Sequence, residues 1–299
     1  MKVFVTGASG FIGSAVVKEL MNAGHKVLGL ARNDAAADSI AAVGAEVHRG
    51  DLQDLGSIKK GAATSDGVAH LGFIHDFSRF AEVCAVDKQV IETIGAELEG
   101  TNKPFLVTSG TALINTGQLA TEDDRAASGP NPRIASELAV DALAAKGVRV
   151  GVVRLSPSVH GKGDHGFVPI LINLAREKGF SGYIDEGQNR WPAVHRLDAA
   201  VLYRLALESN FTPGARFHGA AEEGIAFKEI AEMIAKRLNI RTKSLNAEEA
   251  AAYFTWFMHF ASFNNPTSSK ITRDTLGWIP KQLGLVEDVD NDYYFSIDK

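Results

Sequence analysis

The 299-residue sequence predicts an α/β fold, a doubly wound parallel sheet with a smaller C-terminal α/β domain. Three observations lead there. The chain opens on a short apolar run, Val3-Phe4-Val5, that passes directly into a glycine-rich turn from Gly7 to Gly13. β-prone runs then alternate with helical apolar spacing through the first half, the rhythm of βαβ units. After Arg154 that rhythm breaks, and Pro157, Gly161, Gly163 and Gly166 mark a loop leading into a second set of elements.

Lys2–Thr6 reads as the first strand. From Phe11 to Ala23, Ile12, Ala15, Val16, Leu20 and Ala23 recur at helical spacing, and Gly24 is the stop. Further strands are expected at Lys26–Leu30, Glu46–Arg49, Gly67–His70, Pro104–Thr108 and Val148–Arg154, with helices starting near Asp34, Asp54, Asp87 and Asn131. Past the loop, helices at Phe167–Lys178, Val201–Leu207 and Phe227–Leu238 accompany a short strand near Arg216–His218. The tail from Asn246 is helical and aromatic. Its Phe254, Phe257 and Phe260 sit at helical spacing, a pattern that favours the core of the small domain over a ligand wall.

Composition narrows the function classes. An apolar fraction of 45% and a charged fraction of 22% are ordinary for a soluble globular protein. A net charge of −5 with scattered Lys and Arg argues against nucleic acid as a partner. Cys84 is the only cysteine, which excludes an intrachain disulfide and suits a reducing cytoplasm. The glycine turn occupies the place of a signal-peptide apolar region, and no run approaches the ~20 apolar residues of a membrane span. A cytoplasmic protein with no membrane partner is expected.

The glycine turn is the first chemical signal. Gly7 allows the tight turn, Gly10 lets backbone approach a pyrophosphate, and Gly13 lets helix and strand pack closely. Ser9, Phe11 and Ile12 complete the turn and the helix start, whose free N–H groups and positive dipole end face an anion. The second strand then ends in Arg32, with no acid at its tip. A guanidinium there suits the 2′-phosphate of NADP, where an acid would suit NAD. Asn33 is placed to support it. A solvated strand-end Arg is the alternative.

Six ordered blocks resemble the extended short-chain dehydrogenases/reductases. Thr6–Gly13, TGASGFIG, is similar to their TGxxGxxG turn. Gly50-Asp51-Leu52 resembles the segment that meets the adenine, and Asp66–Gly72 resembles the D-x-V-x-H-x-A strand beside the cofactor. Thr108-Ser109-Gly110 matches the serine-rich end of strand five, Arg154–Gly161 the R-x-x-x-V-Y-G loop by the nicotinamide, and His195–Ala200 the late H-V-x-D-x-A segment. The resemblance implies a Rossmann domain from residues 1–155 plus roughly 188–220, and a substrate domain from 156–187 and 221–299. It implies cofactor contacts at Asp51, Leu52, Leu71, Gly72, Phe73, Ser109, Ser156 and Ser158, and a homodimer through the helices near Asp87 and Asn131. NADP is the expected cofactor, ahead of NAD.

The catalytic half of the pattern does not continue. Most of that family uses a Tyr-x-x-x-Lys pair one helical turn apart as its proton relay. None of the five tyrosines here has Lys four residues later, and the first of them is Tyr183. Aligned on the helix that would carry the pair, Arg133 takes the Tyr place and Glu137 the Lys place. An Arg is no general acid near neutral pH, and a helix-surface ion pair is the expected state of the two. Other candidates are His75 with Arg79, four apart on the loop after the fourth strand. His75 titrates near neutrality and Arg79 would stabilise an oxyanion, as in an atypical branch with a His-x-x-x-Arg pair; a loop His and a solvated Arg are the alternative. Arg133 itself remains a candidate.

Ser109 and Thr111 stand where the family's catalytic hydroxyl lies, with capping of the following turn as the favoured role of Thr111. His160 takes the place of the family's Tyr beside the nicotinamide. His165 follows it, His195 is placed to return toward the pocket, and Trp191 is expected in a ligand-contacting loop. No metal is expected: HExxH is absent, and GxSxG is absent as well.

These readings converge on an NADPH-dependent oxidoreductase acting on a carbonyl or activated double bond of a small organic substrate, with a proton from His75 or a water near Ser109. A catalytically silent NADP-binding sensor and a sugar-nucleotide epimerase or dehydratase are the alternatives.

Overall fold

The computed structural model describes residues 1–114, 117–126 and 129–296. In the first half, β1 (Lys2–Thr6), α1 (Phe11–Asn22), β2 (Lys26–Ala31), α2 (Asp34–Ala42), β3 (Glu46–Arg49), α3 (Leu55–Ala63), β4 (Gly67–His70), α4 (Phe80–Leu98), β5 (Phe105–Gly110), α5 (Ile134–Ala145) and β6 (Val150–Leu155) follow the expected alternation. Then come β7 (Ser158–His160), α6 (Phe167–Lys178), β8 (Phe180–Ile184), β9 (Arg190–His195), α7 (Arg196–Glu208) and β10 (Ala215–Gly219). The chain continues through β11 (Glu222–Ala226), α8 (Phe227–Leu238), β12 (Arg241–Leu245), α9 (Ala247–Phe254), α10 (Met258–Ala261), α11 (Lys270–Leu276) and α12 (Leu285–Val289).

Seven parallel strands form the main sheet in the order β10-β6-β5-β4-β1-β2-β3, a Rossmann-like doubly wound arrangement. Side chains on a strand alternate between faces. Val3 and Val5 therefore enter one core with α1 and α7, while Phe4 enters the other with Ile58, Val90 and Ile91 of α3 and α4. The strand order reverses between β1 and β4, which opens a crevice at their carboxyl ends.

The second unit holds a parallel pair, β8 with β12, and a three-stranded sheet, β11-β9-β7. Trp191, Phe227, Phe254 and Phe257 are fully buried at its centre with α6, α8 and α9. The aromatic tail thus goes to the core, apart from Trp256, which is exposed.

Several elements differ from the sequence reading. Helix α4 begins at Phe80, not near Asp87, because Asp87 is a buried anion inside the helix and not its cap. Strands β7, β8, β9, β11 and β12 were not anticipated, and the expected loop around Trp191 is strand β9. Their short runs lack a clean alternation, and their partners are distant in sequence. The 221–299 segment also divides. Trp278 packs into the first core and donates from Nε1 to the Asp198 carbonyl at 3.0 Å, while the Asp198 carboxylate accepts from the backbone of Lys281 and Gln282. Residues 297–299 of that span lie outside the described residues. Among the described residues, no helix is long and apolar enough to cross a membrane.

Candidate functional site

The turn after β1 is shaped for close approach. Gly7 has φ +67°, and a Cβ there would meet Gly72 N at 2.8 Å. A Cβ on Gly13 would stand 2.0 Å from the Gly7 carbonyl oxygen. Only glycine fits either position without moving backbone. Gly10 is the N-cap of α1, no side chain caps the helix, and no acid lies in its first turn. Its first N–H groups, over Phe11 and Ile12, are left for an anion. Ser9 and Gly10 are exposed beside them. Leu52 and Gly72 pack against the same turn, with Leu71 following β4. Asp51, just past β3, accepts Gln53 N on one carboxylate oxygen. The sequence-derived cofactor residues Gly7, Ser9, Gly10, Phe11, Ile12, Leu52, Leu71 and Gly72 thus surround one turn.

At the tip of β2, Arg32 is exposed and forms no ion pair with any described residue. Asn33 does not extend toward it: its side chain caps α2 by accepting Ala36 N at 2.9 Å. The other cation there, Arg49, is paired with Asp34 at 2.7 Å. Arg32 is the uncommitted guanidinium of this edge.

The carboxyl end of β5 is held by two buried ionic clusters, and they correct the expected Arg133–Glu137 surface pair. Arg133 precedes α5 and turns toward α4, donating to Asp87 Oδ2 at 2.5 Å and to the Thr108 carbonyl at 2.9 Å, with Ser136 alongside. Asp87 also contacts His70 Nε2 at 3.0 Å and accepts Ser136 Oγ at 2.6 Å. Burial opposes ionisation of Asp87, but His70, Arg133 and Ser136 outweigh it and bring its pKa to about 2. Glu137 turns the other way. It accepts Ser109 Oγ and Arg154 Nε on Oε1, at 2.8 and 2.9 Å, and Arg154 Nη2 on Oε2 at 2.7 Å. Burial again opposes ionisation, and the Arg154 contacts, with Ser109 and Arg216, hold the carboxyl below its ordinary value. Behind Arg154, His218 Nδ1 meets the Ser268 carbonyl at 2.8 Å, and burial lowers its pKa to about 4.

Thr111 caps nothing: it is fully buried and donates to Asn265 Oδ1 at 2.9 Å. Asn265 Nδ2 is buried without a partner among the described residues. A cavity of ≈ 340 Å³ is lined by Gly117, His259, Ser262, Phe263 and Asn264, the residue before Asn265.

His75 is exposed on the loop that follows β4. Its ring meets the edges of Phe73 and Phe77, at 5.5 and 6.2 Å between centroids. Phe73 in turn carries the Arg133 guanidinium 4.4 Å over its ring. Desolvation, then the charge of His165, lowers the His75 pKa, so its neutral form prevails at pH 7. His165 lies 5.7 Å from the Phe11 ring, which joins the loop after β7 to the glycine turn. His75, His165, Phe11, Phe73 and Arg133 therefore face one region. Arg79 is not part of it: on an exposed turn it is engaged by Glu82 at 2.6 Å.

Five further sequence candidates are turned inward. Trp191 is fully buried among Phe167, Phe227 and Phe257, so it packs the second core and lines no open loop. His160 is buried, pairs with Asp288 at 2.8 Å and packs on His195, whose Nδ1 caps α7 by accepting Leu197 N. Both histidines join β7 to α12 and α7. Ser156 donates to the Gly219 carbonyl at 2.8 Å, and Ser158 is buried with its Oγ unpartnered among the described residues. Sequence reasoning missed Asp87, Arg154, His218 and Asn265 as site-forming residues. The signal for Asp87 is an acid among Val83, Cys84, Val90 and Ile91, on the apolar stripe of α4.

The NAD-dependent epimerase/dehydratase family model matches residues 3–98. An uncharacterised protein of Schizosaccharomyces pombe is 49% identical over 99% of this chain and 100% of its own length. A 2-alkyl-3-oxoalkanoate reductase of Stenotrophomonas maltophilia is 30% identical over 74% of this chain and 69% of its own. Among solved structures, a UDP-glucose 4-epimerase of Thermus thermophilus in complex with NAD superposes with a TM-score of 0.74 at 19% identity, covering 99% of both chains.

Proposed function

The chain belongs to the NAD-dependent epimerase/dehydratase family, and from that premise we propose that it is an NADPH-dependent oxidoreductase reducing a carbonyl or activated double bond of a small organic molecule. The observation that carries the cofactor choice is Arg32, exposed and unpaired at the β2 tip where a 2′-phosphate would lie. The neighbours of known structure carry NAD by their titles, so the preference for NADP rests on this residue. The glycine cradle and the uncapped α1 terminus fit the pyrophosphate. The bound cofactor supplies the hydride.

This chain's own residues orient and polarise. His75 is the proton-donor candidate, on the exposed side of a region walled by Phe73 and Phe11, and the Arg133 guanidinium lies over the Phe73 ring. Ser109, at the end of β5, is the contact for the hydroxyl of the alcohol that reduction forms. His165 is the substrate contact nearest the turn, and His160, Thr111 and Trp191 act from behind it by packing. The name of the Stenotrophomonas relative, a ketone reductase, supports the reductase reading. A sugar-nucleotide epimerase or dehydratase leans on the Tyr relay, for which no residue pair here has the spacing. A homodimer in the cytoplasm completes the proposal.

The test is calorimetric titration with NADPH and NADH, followed by NADPH oxidation against a panel of aldehydes, ketones and enones. Tight NADPH binding without turnover across a broad panel would favour the cofactor-sensing alternative. Failure to bind NADPH would end the proposal.

A further inference from the structure

Three hydroxyls stand at the carboxyl end of β5, on Thr108, Ser109 and Thr111, and all three protons are already spent inside the protein. Thr108 donates to the His70 carbonyl at 2.8 Å. Thr111 gives its proton to Asn265 and is fully buried. Ser109 reaches the crevice edge at 6% exposure, and its Oγ lies 2.8 Å from Glu137 Oε1. The direction of that bond follows from what surrounds Glu137. Its other contacts are all N–H donors: Arg154 Nε on Oε1, Arg154 Nη2 on Oε2, and Arg216 Nε 3.8 Å from Oε2. A carboxyl proton would have to sit on Oε1 toward Ser109 and would give up the charge-assisted character of both Arg154 bonds. Those two bonds hold the carboxyl below its ordinary value, so the ionised form keeps them and takes the Ser109 proton in a hydrogen bond.

A serine has one proton and two lone pairs. With the proton fixed on Glu137, Ser109 offers the crevice lone pairs alone. We propose that the Glu137–Arg154 pair holds the Ser109 hydroxyl as a hydrogen-bond acceptor, so that this site grips its ligand by a donor group, the hydroxyl of an alcohol, and not by a bare carbonyl. Glu137 and Arg154 are positioning residues, and Ser109 is the contact. This rests on the oxidoreductase reading in one respect: the alcohol is the reduced member of the couple that the cofactor interconverts. A carbonyl substrate is then polarised from the His75 side, and the alcohol formed from it becomes a donor to Ser109.

Two probes of equal size separate the polarities. Crystals soaked in isopropanol and, separately, in acetone show which oxygen settles within hydrogen-bond distance of Ser109 Oγ. The proposal expects isopropanol there and acetone elsewhere, and expects S109A, which leaves the buried ion pair intact, to lose the isopropanol. Acetone on Ser109, or no isopropanol at wild-type Ser109, overturns it. Infrared difference spectra at pH 7 between wild type and E137Q test the positioning role: an ionised carboxylate band is expected, and a protonated carboxyl band overturns the proposal. If E137Q does not fold, the wild type minus S109A difference reads the same carboxylate as its hydroxyl donor is removed. NADPH calorimetry on the same preparations keeps the two ideas apart, because loss of cofactor binding bears on the oxidoreductase reading and leaves the solvent positions to decide the polarity of Ser109.

Discussion

Replacing Asp87 by Asn tests whether the cluster behind β5 holds the site together. Asp87 is 3% exposed and takes hydrogen bonds from Arg133 and Ser136 while contacting His70. Its pKa falls from the ordinary aspartate value of 3.8 to about 2 on folding, which corresponds to about 2.4 kcal/mol in favour of the ionised form. Because the folded value is the lower one, this stability is fully present above about pH 4 and is lost as the pH falls toward 2. D87N approximates the protonated state, so it should cost on the order of 2 kcal/mol at pH 7. D87A, which leaves the Arg133 charge without an acid, should cost about 3–5 kcal/mol. Equilibrium urea unfolding followed by tryptophan fluorescence measures both. The gap between wild type and D87N should also narrow as the pH is lowered from about 5 to about 3. A D87N protein within about 0.5 kcal/mol of wild type at pH 7, or a gap insensitive to pH, would refute the reasoning.

Three other outcomes follow from the same geometry. G13A sets a methyl 2.0 Å from the Gly7 carbonyl, with backbone on both sides, so NADPH binding by calorimetry should be lost. R32A removes charge-assisted hydrogen bonds worth about 1.5–3 kcal/mol, which predicts NADPH affinity about 10- to 100-fold weaker and NADH affinity unchanged; equal losses for both cofactors would sink the 2′-phosphate assignment. If His75 donates the proton, kcat/KM for reduction should fall as pH rises through a value below 6.5, the direction set by its desolvation and by His165. H75A should abolish that limb, and a pH profile unchanged in H75A would release His75 from the role.

The dinucleotide half was legible because its chemistry is local. The Gly7–Gly13 turn, the strand before it and the helix after it are contiguous, and the strands of the main sheet up to β6 follow from runs of apolar residues. Helices α6 and α8 were placed at their ends as well, since Phe167–Lys178 and Phe227–Leu238 carry clean helical spacing. The polar interior was not legible. Glu137 and Arg133 look like partners at i and i+4, yet Asp87, 46 residues before Arg133, and Arg154, 17 after Glu137, take them instead. Spacing along a helix reports which side chains are near each other; it says nothing about a stronger partner brought in by another element. Trp191 failed in a similar way. A tryptophan between Arg190 and Pro192 reads as a loop, until β11 pairs with it at Ile225 and β7 pairs with the same strand at Ala193–His195.

The pairing of Arg133 and Glu137 has a consequence for the chemistry. A basic residue and an acid stand where a proton relay would be expected, and each is neutralised by a charge from a different element, α4 on one side and β6 on the other. Breaking either pair leaves an uncompensated charge in a dry interior, which makes both hard to move one at a time. Groups locked in this way exchange no protons with a ligand near neutral pH, since an Arg keeps its proton and Glu137 is held ionised. What the carboxyl end of β5 offers a ligand is therefore geometry: lone pairs on Ser109, and an aromatic wall at Phe73 fixed by the Arg133 guanidinium over its ring. Any proton must enter from outside the two clusters, and among the sequence candidates His75 is the titratable group that stands exposed against that wall.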